Sequence, residues 1–237
     1  MTIAIAFNCI DGIVLCADSY EGDGVNKRFV PKIWTHEFGT DWGLAVACAG
    51  EADLADSFTK ELPEVLGDGE FDRPSVLSKI RGAIAAIRSS YQNSQLSMLL
   101  ALCSKKSPER PVPTCELFRN MDGSLHLGPV YQFEAIGMGG CLSHFLIGNI
   151  HKRGMFMEDA VKLGIFAIAR TKDYVQWCDG PTQVVTHEKG GAFWEWSARV
   201  EMDKIEALYR KEDLQKAIND YWESVKPLAS ETSELGP

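Results

Sequence analysis

Residues 2–19 read TIAIAFNCIDGIVLCADS. Two apolar runs of strand length flank a turn at Ile10-Asp11-Gly12, so the stretch is expected to be a β-hairpin. Side chains alternate faces along a strand. Thr2, Ala4 and Ala6 therefore share one face, and Ile3, Ile5 and Phe7 share the other. On the second strand Val14, Cys16 and Asp18 share a face. Register decides whether Thr2 and Asp18 meet. A two-residue Asp-Gly turn pairs Ile10 with Ile13 and sends them to opposite sides. A three-residue loop ending in Gly12 pairs Cys9 with Ile13 and makes them diagonal neighbours, about 7–8 Å apart. A functional pairing of Thr2 with Asp18 thus predicts the three-residue loop.

A threonine directly behind the initiator methionine permits chemistry that an internal threonine lacks. Once Met1 is removed, its α-amine, with an ordinary pKa of about 7.7–8.0, can act as base for its own hydroxyl. Thr2 is small enough for methionine removal, and it is also an ordinary β-former opening an edge strand.

Outward from the hairpin, FVPKIWTH and WGLAVACAG read as two further strands. EADLADSFTKELPEVLG then takes helical spacing, with Leu54, Phe58, Leu62 and Val65 on one face and glycine at its end. Pro74 opens a second helix carrying Leu77, Ile80, Ile84 and Ile87. Strands return at SMLLALCS, TCELFRN, SLHLG and YQFEAIG, with a turn at residues 121–123. Two helices follow, in GGCLSHFLIGNIHKRG and MEDAVKLGIFAIARTKD. A hairpin closing on Lys189-Gly190-Gly191 and a helix over about 201–225 complete the order. Helices clustered in pairs between antiparallel strands give an α+β layered fold, not a doubly wound one. No linker marks a boundary, so residues 1–226 are expected to form a single domain, with 227–237 a frayed polar tail.

Hydrophobic residues make up 45% of the 237 and charged residues 24%, the balance of a globular protein with a sizeable core. The net charge of −9 argues against nucleic acid or an anionic membrane as partner. No leader and no apolar run of about 18–20 residues is present, so the protein is expected to be cytoplasmic. The seven cysteines, none in a C-x-x-C pair, read as reduced thiols in the core. The five histidines lack metal-ligand spacing, and no metal or cofactor is expected. GMGG at 137–140 lacks the third glycine of a dinucleotide loop, because Leu142 stands there. The aromatics Phe193, Trp194 and Trp196 are expected to pack on a sheet, with a contact between subunits as the alternative.

Taken in order, several stretches resemble the proteasome β-subunit family and its bacterial ring-protease relatives. They are the threonine before an apolar strand; DGIVLCADS, with an acidic residue sixteen positions after that threonine; PKIW; LAVACAGEADLADSF; EAIGMGGCLSHFLIGNI; and MFMEDAVKLGIFAIARTKD. The resemblance runs from Thr2 to about Ser197. It implies a four-layer αββα sandwich and an N-terminal nucleophile hydrolase that cuts peptide bonds. It also implies, residue by residue, that Thr2 is nucleophile and base. Lys32 lowers the pKa of the amine, and Asp18 holds Lys32. The Gly50 N–H forms the oxyanion hole, with Cys48 a rival position, and Asp173 braces the amine. A peptide or unfolded-protein substrate would lie as a strand beside Tyr20 and Cys48. Self-association into rings is implied, with access controlled by a separate partner such as an ATP-dependent unfoldase. Two departures stand out. Met138 replaces the serine of the glycine turn, and YVQWCDGP follows Asp173, where Gln176 or Cys178 is the nearest counterpart of a second serine. They motivate one alternative, a ring-forming binding or scaffold protein without peptidase activity; an amidase of the same fold acting on a small amide is a third reading.

Overall fold

The computed structural model describes residues 2–22, 27–39, 41–90, 95–105, 112–121 and 126–189, and the backbone of 195–196. The expected helix over 201–225, the tail, the turn at 121–123 beyond Met121 and the side chains of the Phe193–Trp196 cluster lie outside the described residues.

Two antiparallel five-stranded sheets face each other. In the first, the order is β10 (Phe133–Gly137), β1 (Ile3–Asn8), β2 (Gly12–Ala17), β11 (Gln183–Glu188) and β12 (Glu195–Trp196). In the second it is β5 (Ile33–Phe38), β6 (Trp42–Gly50), β7 (Leu96–Ser104), β8 (Thr114–Asn120) and β9 (Gly128–Pro129). A small ribbon, β3 (Tyr20–Gly22) with β4 (Lys27–Phe29), connects them in sequence. The expected single strand FVPKIWTH is broken at Pro31, which offers no N–H to a ladder.

Strand alternation sorts the core into three layers. Ala4, Ala6, Ala45, Ala47, Ala49 and Ala101 face the space between the sheets, and their small size allows close approach. Leu44, Val46 and Cys48, on the other face of β6, meet α1 (Ala52–Leu66) and α2 (Arg73–Ser90). Ile3, Ile5, Phe7, Val14 and Cys16 meet α4 (Met157–Tyr174), beside which α3 (Gly140–Gly148) packs. The result is the four-layer αββα sandwich.

In α1, Leu54, Phe58 and Leu62 are buried as their spacing dictates, while Val65 is exposed and Leu66 completes the stripe. Each such side chain contributes about 1.5–3 kcal/mol on burial. Gly67 ends the helix with a positive φ of 67°. In α2 the stripe of Leu77, Ile80, Ile84 and Ile87 is buried, and Asp72 accepts the Ser75 N–H at its start. No helix among the described residues is long and apolar enough to cross a membrane.

The opening hairpin departs from expectation. Asn8 pairs with Ile13, the Cys9 N–H donates to the Gly12 C=O, and the loop is the two residues Ile10 and Asp11. Gly12 is not a left-handed loop residue but the first residue of β2. A Cβ there would stand 2.1 Å from the His187 carbonyl oxygen and 2.3 Å from Met157 Sδ. Close approach of β11 and α4, not turn geometry, requires this glycine.

Candidate active site

The observed register places Asp18 opposite Ile3, not Ala4. By pleat alone, Asp18 and Thr2 would occupy opposite faces. The pleat does not govern Asp18, because β2 ends at Ala17. The carboxylate instead collects donors. Oδ1 accepts the Ile3 N–H at 3.1 Å and Lys32 Nζ at 3.0 Å, and Oδ2 accepts the Asp179 N–H at 3.3 Å. Both side chains of the pair are sealed, Asp18 at 0% and Lys32 at 5% relative exposure. Burial pushes the Lys32 ammonium pKa down, and the Asp18 carboxylate opposes that shift.

Lys32 is fixed from several directions. Its ammonium also donates to the Tyr20 C=O. Its own C=O accepts the Cys48 N–H at 3.4 Å. Gln183 of β11 clamps the backbone beside it: Oε1 accepts the Lys32 N–H at 2.8 Å, and Nε2 donates to the Val30 C=O at 2.9 Å. The Tyr20 and Cys48 backbones, expected to meet substrate, are thus engaged with Lys32, and their side chains are buried. Burial also keeps the Cys48 thiol protonated by raising its pKa.

Thr2 is 6% exposed and lines a small groove, with a cavity volume of about 40 Å³, together with Lys32, Cys48, Gly50, Glu21 and Trp34. The glycine turn after β10 grips it. The Met138 N–H donates to the Thr2 C=O at 2.9 Å. Gly137, with φ of 87°, comes so close that a Cβ would lie 2.0 Å from that oxygen. The Met138 side chain points to solvent. Behind this turn lies a buried hydroxyl pair, Ser143 Oγ and Thr171 Oγ1, 2.8 Å apart. A Cβ on Gly139 would stand 2.3 Å from Thr171 Cγ2 and 3.1 Å from Ile3 Cδ1, which locates the pair behind β1.

Gly50 lines the same groove as Thr2. The Glu51 N–H donates to the Gln95 C=O, and the Cys48 N–H donates toward the β5 side, to Lys32. Because N–H groups alternate along an antiparallel strand, the Gly50 N–H also faces the β5 side. The β5–β6 ladder has ended by then, at Ile33–Ala47. The Cys48 N–H is already engaged, by the Lys32 C=O at 3.4 Å. At Gly50, a φ of 136° and a Cβ that would meet Gln95 O at 2.0 Å make glycine obligatory.

Asp173 is placed elsewhere. It ends α4 on the surface, 38% exposed, and its carboxylate takes Arg170 at 3.4 Å. The aspartate that reaches the buried pair is Asp179, through its backbone. Its N–H caps Asp18 and its C=O accepts the Ser19 N–H at 3.4 Å. This segment is strained, because Trp177 holds a positive φ of 75° with its ring 6.5 Å from that of Tyr20. Cys178 beside it is buried, and its thiol pKa is pushed up to about 11 by burial and then by Asp18, so it is no nucleophile at neutral pH. Gln183 and Asp179 carry no motif. The one legible signal was the departure of YVQWCDGP from the resembled pattern.

No family model matches the sequence. No curated protein matches it either. Solved structures do match in fold. An Anbu (Gly-1) mutant from Hyphomicrobium sp. strain MC1 superposes with a TM-score of 0.75 at 15% identity, over 92% of this chain and 97% of that one. Anbu from Pseudomonas aeruginosa, solved as a helical assembly, gives 0.76 at 14% identity over 94% and 96%. Anbu, the ancestral β-subunit, from Yersinia bercovieri gives 0.71 at 13% identity over 100% and 98%. The chain thus has the αββα fold of the Anbu proteins, the proteasome-β-like form of the N-terminal nucleophile hydrolase architecture.

Proposed function

We propose that the protein is a threonine-type peptidase of the N-terminal nucleophile class, acting through Thr2 after removal of Met1. One observation carries this reading: Thr2, a buried Lys32 anchored by Asp18, and Gly50 line the same groove. The freed α-amine accepts the Thr2 hydroxyl proton as Oγ attacks the scissile carbonyl. The Lys32 cation disfavours a charged amine and so keeps that base available. The Gly50 N–H stabilises the oxyanion, a donor whose loss typically lowers kcat about 10²–10³-fold. The tetrahedral intermediate expels the leaving amine, which takes the proton from the α-amine. Water then hydrolyses the Thr2 ester by the same base.

The substrate enters as an extended strand. In the β3–β4 ribbon the Val30 N–H donates to Ser19 O, so Glu21 pairs with Arg28 by hydrogen bonds and Gly22 turns its N–H and C=O away from β4. Gly22 and Gly50, rather than Tyr20 and Cys48, are the backbone positions open to that strand. Self-association of the chain fits the helical assembly of the Pseudomonas aeruginosa Anbu complex.

Intact mass after incubation with a threonine-reactive epoxyketone or β-lactone tests this. A Met1-free protein carrying one adduct, absent in Thr2→Ala, is expected. Retained Met1, or an adduct independent of Thr2, overturns it. An adduct without cleavage of any peptide library would instead favour an amidase of the same fold acting on a small amide.

A further inference from the structure

At the end of the sandwich remote from Thr2, three soft ligand atoms converge. Cys103 of β7, Cys115 of β8 and His187 of β11 each offer one atom, and all lie within 4.8 Å of one another. The site is separate from the groove. Gln183 marks the Lys32 end of β11, and four residues of strand, about 13 Å, carry the chain to His187. The convergence follows from register. Lys105 N–H donates to Asp41 O across the β6–β7 ladder, so Cys103 also directs its N–H to β6. Cys103 and Cys115 are therefore a non-hydrogen-bonded pair across β7 and β8, the kind with Cα atoms about 4.5 Å apart and side chains closest. His187 reaches them from the facing sheet, on the same face of β11 as the core residue Val185.

We propose that Cys103, Cys115 and His187 bind a thiophilic metal ion of the zinc class between the two sheets. Two thiolates and a neutral imidazole are a common zinc ligand set, and two thiolates neutralise a divalent cation where two of the three ligands are buried. Cys115, the half-buried ligand, provides the entry side and leaves one coordination position for water. The nearby Lys189 ammonium is held by the carbonyls of Cys9 at 3.2 Å and Ile10 at 3.1 Å, and its charge favours the thiolate over the thiol at Cys103 and Cys115. The ion would tie β7 and β8 of one sheet to β11 of the other. The ligands are spread over residues 103, 115 and 187, so no spacing motif announces them.

The test uses the full chain, reduced and stripped with chelator, titrated with Zn²⁺ against a chromophoric chelator and with Co²⁺ by absorption. One ion per chain, a thiolate-to-cobalt charge-transfer band and a raised Tm are expected. Cys115→Ala, a small change at a half-buried position checked for folding by circular dichroism, should weaken binding by more than the roughly 10–100-fold that outer-shell changes cause. Cys141→Ser, on the exposed surface, should bind like the wild type. Absence of stoichiometric binding overturns the proposal, as does a folded Cys115→Ala that binds as tightly as wild type. Formation of a Cys103–Cys115 disulfide in air with Zn²⁺ present, seen as loss of two hydrogens in intact mass, also overturns it.

Discussion

The two ends of the β-sandwich solve the burial of polar groups differently. At the Thr2 end a full ion pair is sealed from water, with Asp18 at 0% exposure. At the far end two thiols and an imidazole meet between the sheets. The first arrangement works because strand ends leave backbone groups over. The amides of Ile3 and Asp179 serve Asp18, and the carbonyl of Tyr20 serves Lys32. The second needs no such support, because a thiol is a weak donor and a small hydrophobe.

The sharpest way to break this contrast is to remove one partner at each end. Lys32→Met leaves the Asp18 carboxylate buried with only amide donors, and about 3–5 kcal/mol of unfolding free energy should be lost. Cys115→Ala at the far end, without metal, should change stability by about 1 kcal/mol or less. Urea denaturation of both variants reads the difference. Comparable losses would mean that the pair is solvated in solution and the two ends are alike.

Backbone approach makes the next comparison. Gly137→Ala combines a positive φ of 87° with a Cβ 2.0 Å from Thr2 O, so backbone strain of about 1–3 kcal/mol adds to a displaced Thr2. Gly39→Ala has a positive φ of 57° but open space around it, and should lose only about 1–2 kcal/mol without touching the site. The rate of Thr2-dependent adduct formation separates them: it should fall in Gly137→Ala and hold in Gly39→Ala.

Two imidazoles, the buried His187 and the half-buried His36, extend the contrast to pH. His187 stands beside two thiols, and His36 of β5 turns a buried Nε2 that has no hydrogen-bond partner among the described residues toward the protein interior. Burial holds the His36 pKa below its ordinary value. The folded state therefore binds its proton less readily than the unfolded state. Between the lowered folded pKa and the unfolded value of about 6.5, the unfolded chain carries more protons, so stability rises with pH through that window. Acidification below about pH 6.5 should destabilise the wild type more than His36→Gln, measured as Tm against pH.

The layers were legible because periodicity reports them directly: Leu54, Phe58 and Leu62 on α1, and alternating alanines on β1 and β6, each face what their spacing dictates. The hairpin loop was not, because Gly12 serves the close packing of β11 and α4, a tertiary demand invisible in a local turn pattern. Asp18 and Lys32 could be paired from the resemblance. The groups that hold them, the Gln183 amide and the Asp179 backbone, come from distant sequence and act through generic chemistry that no motif records. The Cys103, Cys115 and His187 cluster was hidden for the same reason: register, not spacing, assembles it.

The smallest expected effect concerns the two aspartates at either side of the strained Trp177 segment. Asp173 was assigned a bracing role at the Thr2 amine by resemblance alone, yet its carboxylate is 38% exposed and meets Arg170 one helical turn back. Exposed ion pairs of this kind contribute about 0–1 kcal/mol, and Asp173→Ala should shift stability by no more than about 0.5 kcal/mol. Asp179 offers the contrast, because it serves Asp18 through its backbone N–H. Asp179→Ala keeps that amide and should leave the Lys32 pair in place, while Asp179→Pro deletes it and should not. The decisive readout is adduct formation at Thr2. If Asp173→Ala lowered it about 10²-fold with stability unchanged, Asp173 would have to swing from Arg170 to the amine in the working enzyme, and the surface position would be a resting arrangement. If Asp179→Pro alone lowers it, support for the buried pair has passed from a side chain to a main-chain amide.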